Sequence, residues 1–264
     1  MREFIHFNYA VSGSHDKSTV LFLHGFMGEI DDWQAQNKDL SRDYHCLFLD
    51  LPGHGATEVS HLSGYDFVIC AKNIVNFLKK NHFEPVNIVG YSLGGRLALY
   101  MSIYWPNLIN RLILESASPG IAGDEDRLLR IHQDALLAEQ IRSNWPGFIE
   151  NWYRQPIFKD IFDSPGFAEM VKRKKLNDPE KLAYVLSGMG QGAQPSLWNH
   201  LKRINQPVLL LTGKLDSKYM VISQKMQNEI PNCLRYPVDD CSHNIHLQKP
   251  ETFNSEVKNF LSNH

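Results

Sequence analysis

Six short stretches of this chain are apolar almost without interruption and end in small or polar residues: "TVLFLHG", "HCLFLDLPGHG", "VNIVGYS", "RLILESASPG", "PVLLLTG" and "NCLRYPVDD". A strand with one wet face alternates apolar and polar positions, whereas a strand covered on both faces is apolar throughout. The runs therefore predict a mostly parallel sheet with helices on both faces. Helix-period patterns lie among them: "GYDFVICAKNIVNFLKKN" before the third run, "GGRLALYMSIYWP" after it, and "PETFNSEVKNFLSN" at the end. Strand and helix in alternation predict an α/β fold with right-handed crossovers. The opening "MREFIHFNYAVSG" alternates and predicts one more strand with charges at its head.

One region departs from this rhythm. From 120 to 197 there is no strand-like run, only helical patterns rich in aromatic and charged residues, such as "EDRLLRIHQDALLAEQI" and "GFIENWYRQPIF". An insertion of this size between two strands of one sheet is expected to be a helical cap over the strands' carboxyl ends, where open α/β sheets bind ligands. The predicted organisation is a single domain, with core 1–119 and 198–264 and cap 120–197.

Composition narrows the partners. The chain has 264 residues and a net charge of −2, so no basic field argues for nucleic acid. No apolar run approaches a membrane span, and the start lacks the apolar core of a signal peptide. The four cysteines, Cys46, Cys70, Cys233 and Cys241, show neither C-x-x-C nor zinc spacing. They read as reduced thiols and suggest a cytoplasmic setting. No metal, nucleotide or thiamine motif appears, so no cofactor is expected.

The chemistry gathers around "VNIVGYSLGGRLALY", residues 86–100. A G-x-S-x-G between a strand and a helix is the setting of a nucleophile elbow, with Ser92 at the turn and the N–H of Leu93 at a helix N-terminus, facing any anion. A serine needs a base, and the base an orienting group. Asp216 follows the strand "PVLLLTG", and "DDCSHNIHLQKP" supplies His243 and His246 after the last run. The order Ser92, Asp216, His243 fits this layout. His243 comes first in the loop and is the expected base, with His246 packing beneath it. The second oxyanion donor is expected from the N–H of Phe26 in "LFLHGFMGE". His24 and His54 are expected to be structural.

These motifs together resemble the α/β-hydrolase superfamily over nearly the whole chain. That superfamily hosts esterases, C–C hydrolases and lyases, so the fold leaves the reaction open.

Arg96 stands four residues after the serine, hence on the same helix face. A buried guanidinium is costly unless paired, by a carboxylate of the fold or by an anionic ligand. The segment 120–198 holds ten Lys/Arg and eleven Asp/Glu, so placement must do what net charge does not. Arg127 and Arg130 share one helix face. "KRKK", residues 172–175, sweeps roughly 300° of a helix and should turn at least one cation inward.

The stretches "GYSLGGR", "ESASPGI", "DRLLRIHQDALLA", "FIENWYRQPIF", "LNDPEKLAYVLSGMGQGAQPSLW", "TGKLDSKY" and "CSHNIHLQKP" resemble the 2-succinyl-6-hydroxy-2,4-cyclohexadiene-1-carboxylate synthase family of menaquinone and phylloquinone biosynthesis. The resemblance implies a small-molecule substrate with three carboxylates and elimination of pyruvate, with Ser92 as base rather than acylated nucleophile. It also implies Arg96 and Arg130 as carboxylate holders, Tyr91 and Trp152 as pocket aromatics, and a further cation that is either Arg173 or Lys174. A serine hydrolase of a carboxylate-bearing ester or C–C bond, or a non-catalytic receptor, would use the same fold.

Overall fold

A computed structural model describes residues 4–263. Nine strands are present among them: β1 (Ile5–His6), β2 (Tyr9–Ser12), β3 (Thr19–Leu23), β4 (His45–Leu49), β5 (Glu58–Val59), β6 (Val86–Tyr91), β7 (Ile109–Glu115), β8 (Val208–Gly213) and β9 (Cys233–Val238). Seven form one sheet in the order β2-β4-β3-β6-β7-β8-β9, with only β2 antiparallel to its neighbour. The six runs are its parallel strands, but the last, β9, lies at the sheet edge and alternates in burial rather than being covered on both faces.

The amino-terminal expectation needs correction. In place of one alternating strand there are two short ones in different sheets, since β1 pairs with β5 while β2 edges the main sheet. The break falls at Asn8, whose N–H donates to Thr57 Oγ1 (2.9 Å) and whose amide donates to Asp50 Oδ2 (2.7 Å). Arg2 and Glu3, the charges at the head of that run, lie outside the described residues.

Successive strand residues point to opposite faces, and the core divides accordingly. Leu21, Leu23, Leu47 and Leu49 pack with Ile74 and Leu97 from α2 (Phe67–Lys80) and α3 (Leu93–Tyr104). Val20, Phe22 and Phe48 pack on the other side with Leu40 of α1 (Gln34–Leu40) and with Phe253, Val257 and Phe260, which belong to the last helix, Pro250–Asn263.

Between β7 and β8 stand α4 (Asp124–Ser143), α5 (Trp145–Tyr153), α6 (Phe167–Lys174) and α7 (Pro179–Met189). They build a third apolar cluster from Ala138, Ile141, Phe148, Ile149, Leu182 and Leu186. Met27, from the loop after β3, is buried in it, so this cap rests on the loop that carries Phe26. Beyond β8 come α8 (Ser217–Glu229), α9 (Ile245–Gln248) and α10 (Pro250–Asn263). Among the described residues no helix is long and apolar enough to cross a membrane.

Candidate active site

β6 delivers Ser92 to the carboxyl edge of the sheet at φ 48° and ψ −105°. A non-glycine residue in so sparsely populated a region costs about 1–3 kcal/mol and persists only where its surroundings hold it. Here the Ser92 N–H donates to the Glu115 carbonyl (2.9 Å), the Gly94 N–H to His24 (3.1 Å) and the Arg96 N–H to Ser92 itself (3.0 Å). No side chain fits beside the turn. A Cβ on Gly94 would lie 2.1 Å from the Leu23 carbonyl oxygen, and one on Gly90 would lie 2.6 Å from Cα of Gly95. The glycines let β3, β6 and α3 converge, and the serine takes the apex.

His243 Nε2 is 3.2 Å from Ser92 Oγ, and His243 Nδ1 is 2.7 Å from Asp216 Oδ2. Asp216 caps α8, its other oxygen accepting the Tyr219 N–H at 3.1 Å. With Nδ1–H donating to the carboxylate, Nε2 is left to accept the serine proton, the orientation a general base requires. His243 is also held from the cap, where its backbone N–H donates to the Ile157 carbonyl (3.0 Å) and the Phe158 ring meets it edge-on at 5.5 Å, and from α8, whose Tyr219 ring meets it edge-on at 4.6 Å.

His246 lies beneath, on α9. Its Nδ1 is 2.7 Å from Glu115 Oε2, while Oε1 of the same carboxylate accepts the N–H groups of Ile245 and His246 at 2.5 and 3.0 Å. This second histidine–carboxylate pair ties the His243 loop to the end of β7. Phe26 and Leu93 line the same cavity as Ser92, and neither backbone N–H has an acceptor among the described residues.

His24 and His54 are buried and structural in their bonding. The Leu51 N–H donates to His24 Nε2 (2.9 Å), and the Met27 N–H donates to His54 Nε2 (3.0 Å). Burial pushes their pKa values down to about 4 and about 3. Both rings stay neutral and keep those nitrogens as acceptors, which shapes the Phe26 loop.

A cavity of about 120 Å³ opens over Ser92 and His243. Phe26, Tyr91, Leu93 and Trp152 line it, as do Arg96 and Arg130. Arg96 is only 6% exposed. Its guanidinium donates to the carbonyls of Met189 (2.9 Å) and Gly190 (3.2 Å) and to Gln194 Oε1 (3.1 Å), so its partners among the described residues are neutral. Burial without a counter-ion lowers its pKa to about 10. Arg130 is anchored differently, to Asp134 Oδ1 (2.7 Å) and Gln191 Oε1 (2.9 Å). Arg127 stays at the surface beside Asp124.

Arg173 and Lys174 are not brought to this cavity. Arg173 bridges Glu29 and Asp32, each at 2.9 Å, and the ammonium of Lys174 meets Asp32. Burial alone would raise the pKa of Asp32, but Lys174 and Arg173 outweigh it and bring the pKa to about 2. The carboxylate thus stays ionised and satisfies both cations, and neither of them lines the cavity over Ser92.

The structure adds lining residues that the sequence reading passed over, among them Gln191, Lys218 and Tyr219. The last two follow Asp216 within "KLDSKY", in the first turn of α8. Among the described residues no cluster of three or more His, Cys, Asp or Glu could hold a metal ion.

Comparison with known proteins agrees with this architecture. Residues 18–250 match the family described as the alpha/beta hydrolase fold. The enol-lactonase of Burkholderia xenovorans LB400 superposes with a TM-score of 0.83 at 17% identity, covering 97% of this chain and 96% of that one, a likeness of fold alone. The structure titled MenH from S. aureus gives a TM-score of 0.92 at 30% identity, covering 97% of this chain and 98% of that one. The 2-succinyl-6-hydroxy-2,4-cyclohexadiene-1-carboxylate synthase of Pectobacterium atrosepticum is 32% identical over 92% of this chain and 93% of its own. Matched at this level across core and cap, the chain belongs to the α/β-hydrolase fold family and, within it, to the 2-succinyl-6-hydroxy-2,4-cyclohexadiene-1-carboxylate synthases.

Proposed function

We propose that this protein eliminates pyruvate from 2-succinyl-5-enolpyruvyl-6-hydroxy-3-cyclohexene-1-carboxylate, giving 2-succinyl-6-hydroxy-2,4-cyclohexadiene-1-carboxylate, in quinone biosynthesis. The proton removed is the one on C2, acidified by the adjacent succinyl ketone. Ser92 Oγ takes it while passing its own proton to His243, whose imidazolium Asp216 stabilises. The electron pair forms C2=C3, the C3=C4 pair moves to C4=C5, and the C5–O bond breaks. His243 returns its proton to the departing enolpyruvate, which becomes pyruvate. Charge developing on the ketone oxygen faces the N–H groups of Phe26 and Leu93.

The observation that carries this reading is Arg96, a buried guanidinium with neutral partners in the same cavity as Ser92 and His243. A neutral ester gives an enzyme no reason to keep such a charge; a polycarboxylate does. Four free cysteines suit a cytosolic site for the reaction. The test is a comparison of rates. The purified protein should release pyruvate from the enolpyruvyl substrate far faster than it hydrolyses p-nitrophenyl esters, and Ser92→Ala should abolish that release. The reverse ranking would make it a hydrolase.

A further inference from the structure

We propose that the substrate extends out of the catalytic cavity between α4 and α8, where Lys218 holds the terminal carboxylate of its succinyl arm. This rests on the reading above of a substrate bearing three carboxylates. Space makes the first argument. Pockets that enclose ligands of this size run to about 300–1,000 Å³, and the cavity over Ser92 offers about 120 Å³. A second cavity of about 350 Å³ lies outside it, lined by Ser118, Gly120 and Ile222 and by one carboxylate, that of Asp126. Arg130, Gln191 and Lys218 line both, so the boundary between the two is made of one amide and two cations.

Charge makes the second argument. Arg130 is already shared between Asp134 and Gln191, and Gln191 in turn donates to the Tyr219 hydroxyl at 3.0 Å. These two side chains are fixed by their own partners. Lys218 is not. Its ammonium lies 5.5 Å from the centre of the Tyr219 ring, and among the described residues no carboxylate forms an ion pair with it; Asp216 and Asp134 act on it only from longer range. Partial burial and the like charge of Arg130 lower its pKa more than Asp216 and Asp134 raise it, and an arriving carboxylate would relieve the repulsion.

The substrate's own connectivity chooses the arm. The ketone is needed at the Phe26 and Leu93 amides and the enolpyruvyl ether must leave, so the flexible chain beyond the ketone is the part free to pass outward. A compact ammonium on a flexible stem suits a carboxylate on a flexible chain, whereas a rigid fork suits one held at fixed angle.

Steady-state pyruvate release by Lys218→Gln and Lys218→Arg tests this, using the natural substrate and its analogue with the succinyl carboxylate converted to an amide. Lys218→Gln should raise KM for the natural substrate roughly tenfold with kcat within twofold, the effect of losing a charged hydrogen bond made equally in ground and transition states. Lys218→Arg should recover most of that loss. The amide analogue should show the raised KM with the wild-type protein and no further rise with Lys218→Gln. An unchanged KM in Lys218→Gln, or an equal rise for the acid and the amide, would overturn the assignment. Should the wild-type protein release no pyruvate at all, the elimination reading fails by itself. Calorimetric titration with succinate then decides the site: binding lost in Lys218→Gln upholds it, and equal binding by both proteins overturns it.

Discussion

Two basic clusters reach inward from the cap, and they differ in what meets them. Arg173 and Lys174 of α6 converge on Glu29 and Asp32, carboxylates of the core that neutralise both. Arg130 of α4 joins Arg96 at the catalytic cavity, and there the carboxylates run short: Arg130 has Asp134, while Arg96 has carbonyls and an amide. The cap has nearly equal numbers of each sign, so the difference lies in placement. A cation whose charge is matched inside the fold fastens one element to another. One whose charge is left unmatched in a cavity is available to a ligand.

The comparison breaks most visibly at Asp32. Lys174 is 2% exposed, and removing its carboxylate leaves a buried charge without a partner, at a cost of about 3–5 kcal/mol. Asp32→Ala should therefore lower the melting temperature by on the order of 10 °C for a chain of this size, read by calorimetry. If α6 is merely fastened to the core, the double variant Asp32→Ala/Lys174→Met should recover much of that loss, because no charge then remains buried. An unchanged melting temperature in Asp32→Ala would mean that the pair holds nothing together.

Arg96 should give the opposite pattern. Losing a charge-assisted hydrogen bond costs about 1.5–3 kcal/mol, so Arg96→Ala should lower kcat/KM for pyruvate release by more than tenfold. Some stability will go too, since Arg96 also gathers the chain around Met189, Gly190 and Gln194. Arg96→Lys separates the two roles: it keeps the charge and loses the planar fork, and should recover only part of the activity. Wild-type kinetics in Arg96→Ala would return the residue to a structural role.

Much of this arrangement was legible in the sequence, for a physical reason. Parallel strands buried on both faces announce themselves as apolar runs, and the residues just past their carboxyl ends fall on one edge of the sheet. Ser92 and Asp216 each follow such a run and His243 follows β9, an edge strand that alternates in burial, which is why their order suggested a meeting that the structure places at 3.2 and 2.7 Å. The alternating amino terminus misled because alternation does not say which partner a strand will find, and Asn8 divides it between two sheets. The cap cations were harder still. A helix in an insertion has no sheet edge to fix its register, and Asp32, the carboxylate that Arg173 and Lys174 share, stands 141 and 142 residues away from them. Lys218 stands in the first turn of α8, two residues past Asp216, so its place near the cavity follows from that of the acid.

The smallest expected effect is the sharpest test of the distinction. Arg173 sits between Glu29 and Asp32 with its side chain 26% exposed, and Asp32 keeps Lys174 when Arg173 is replaced. A partly exposed pair is worth about 0–1 kcal/mol, so Arg173→Gln should change the melting temperature little. If its charge is spent within the fold, KM for the enolpyruvyl substrate should stay within twofold of wild type, against the tenfold rise expected of Lys218→Gln. A tenfold rise in Arg173→Gln would mean that α6 releases Asp32 and swings toward the ligand. Both basic clusters would then serve the substrate, and carboxylate pairing in the free protein would no longer distinguish a fastening from a binding group.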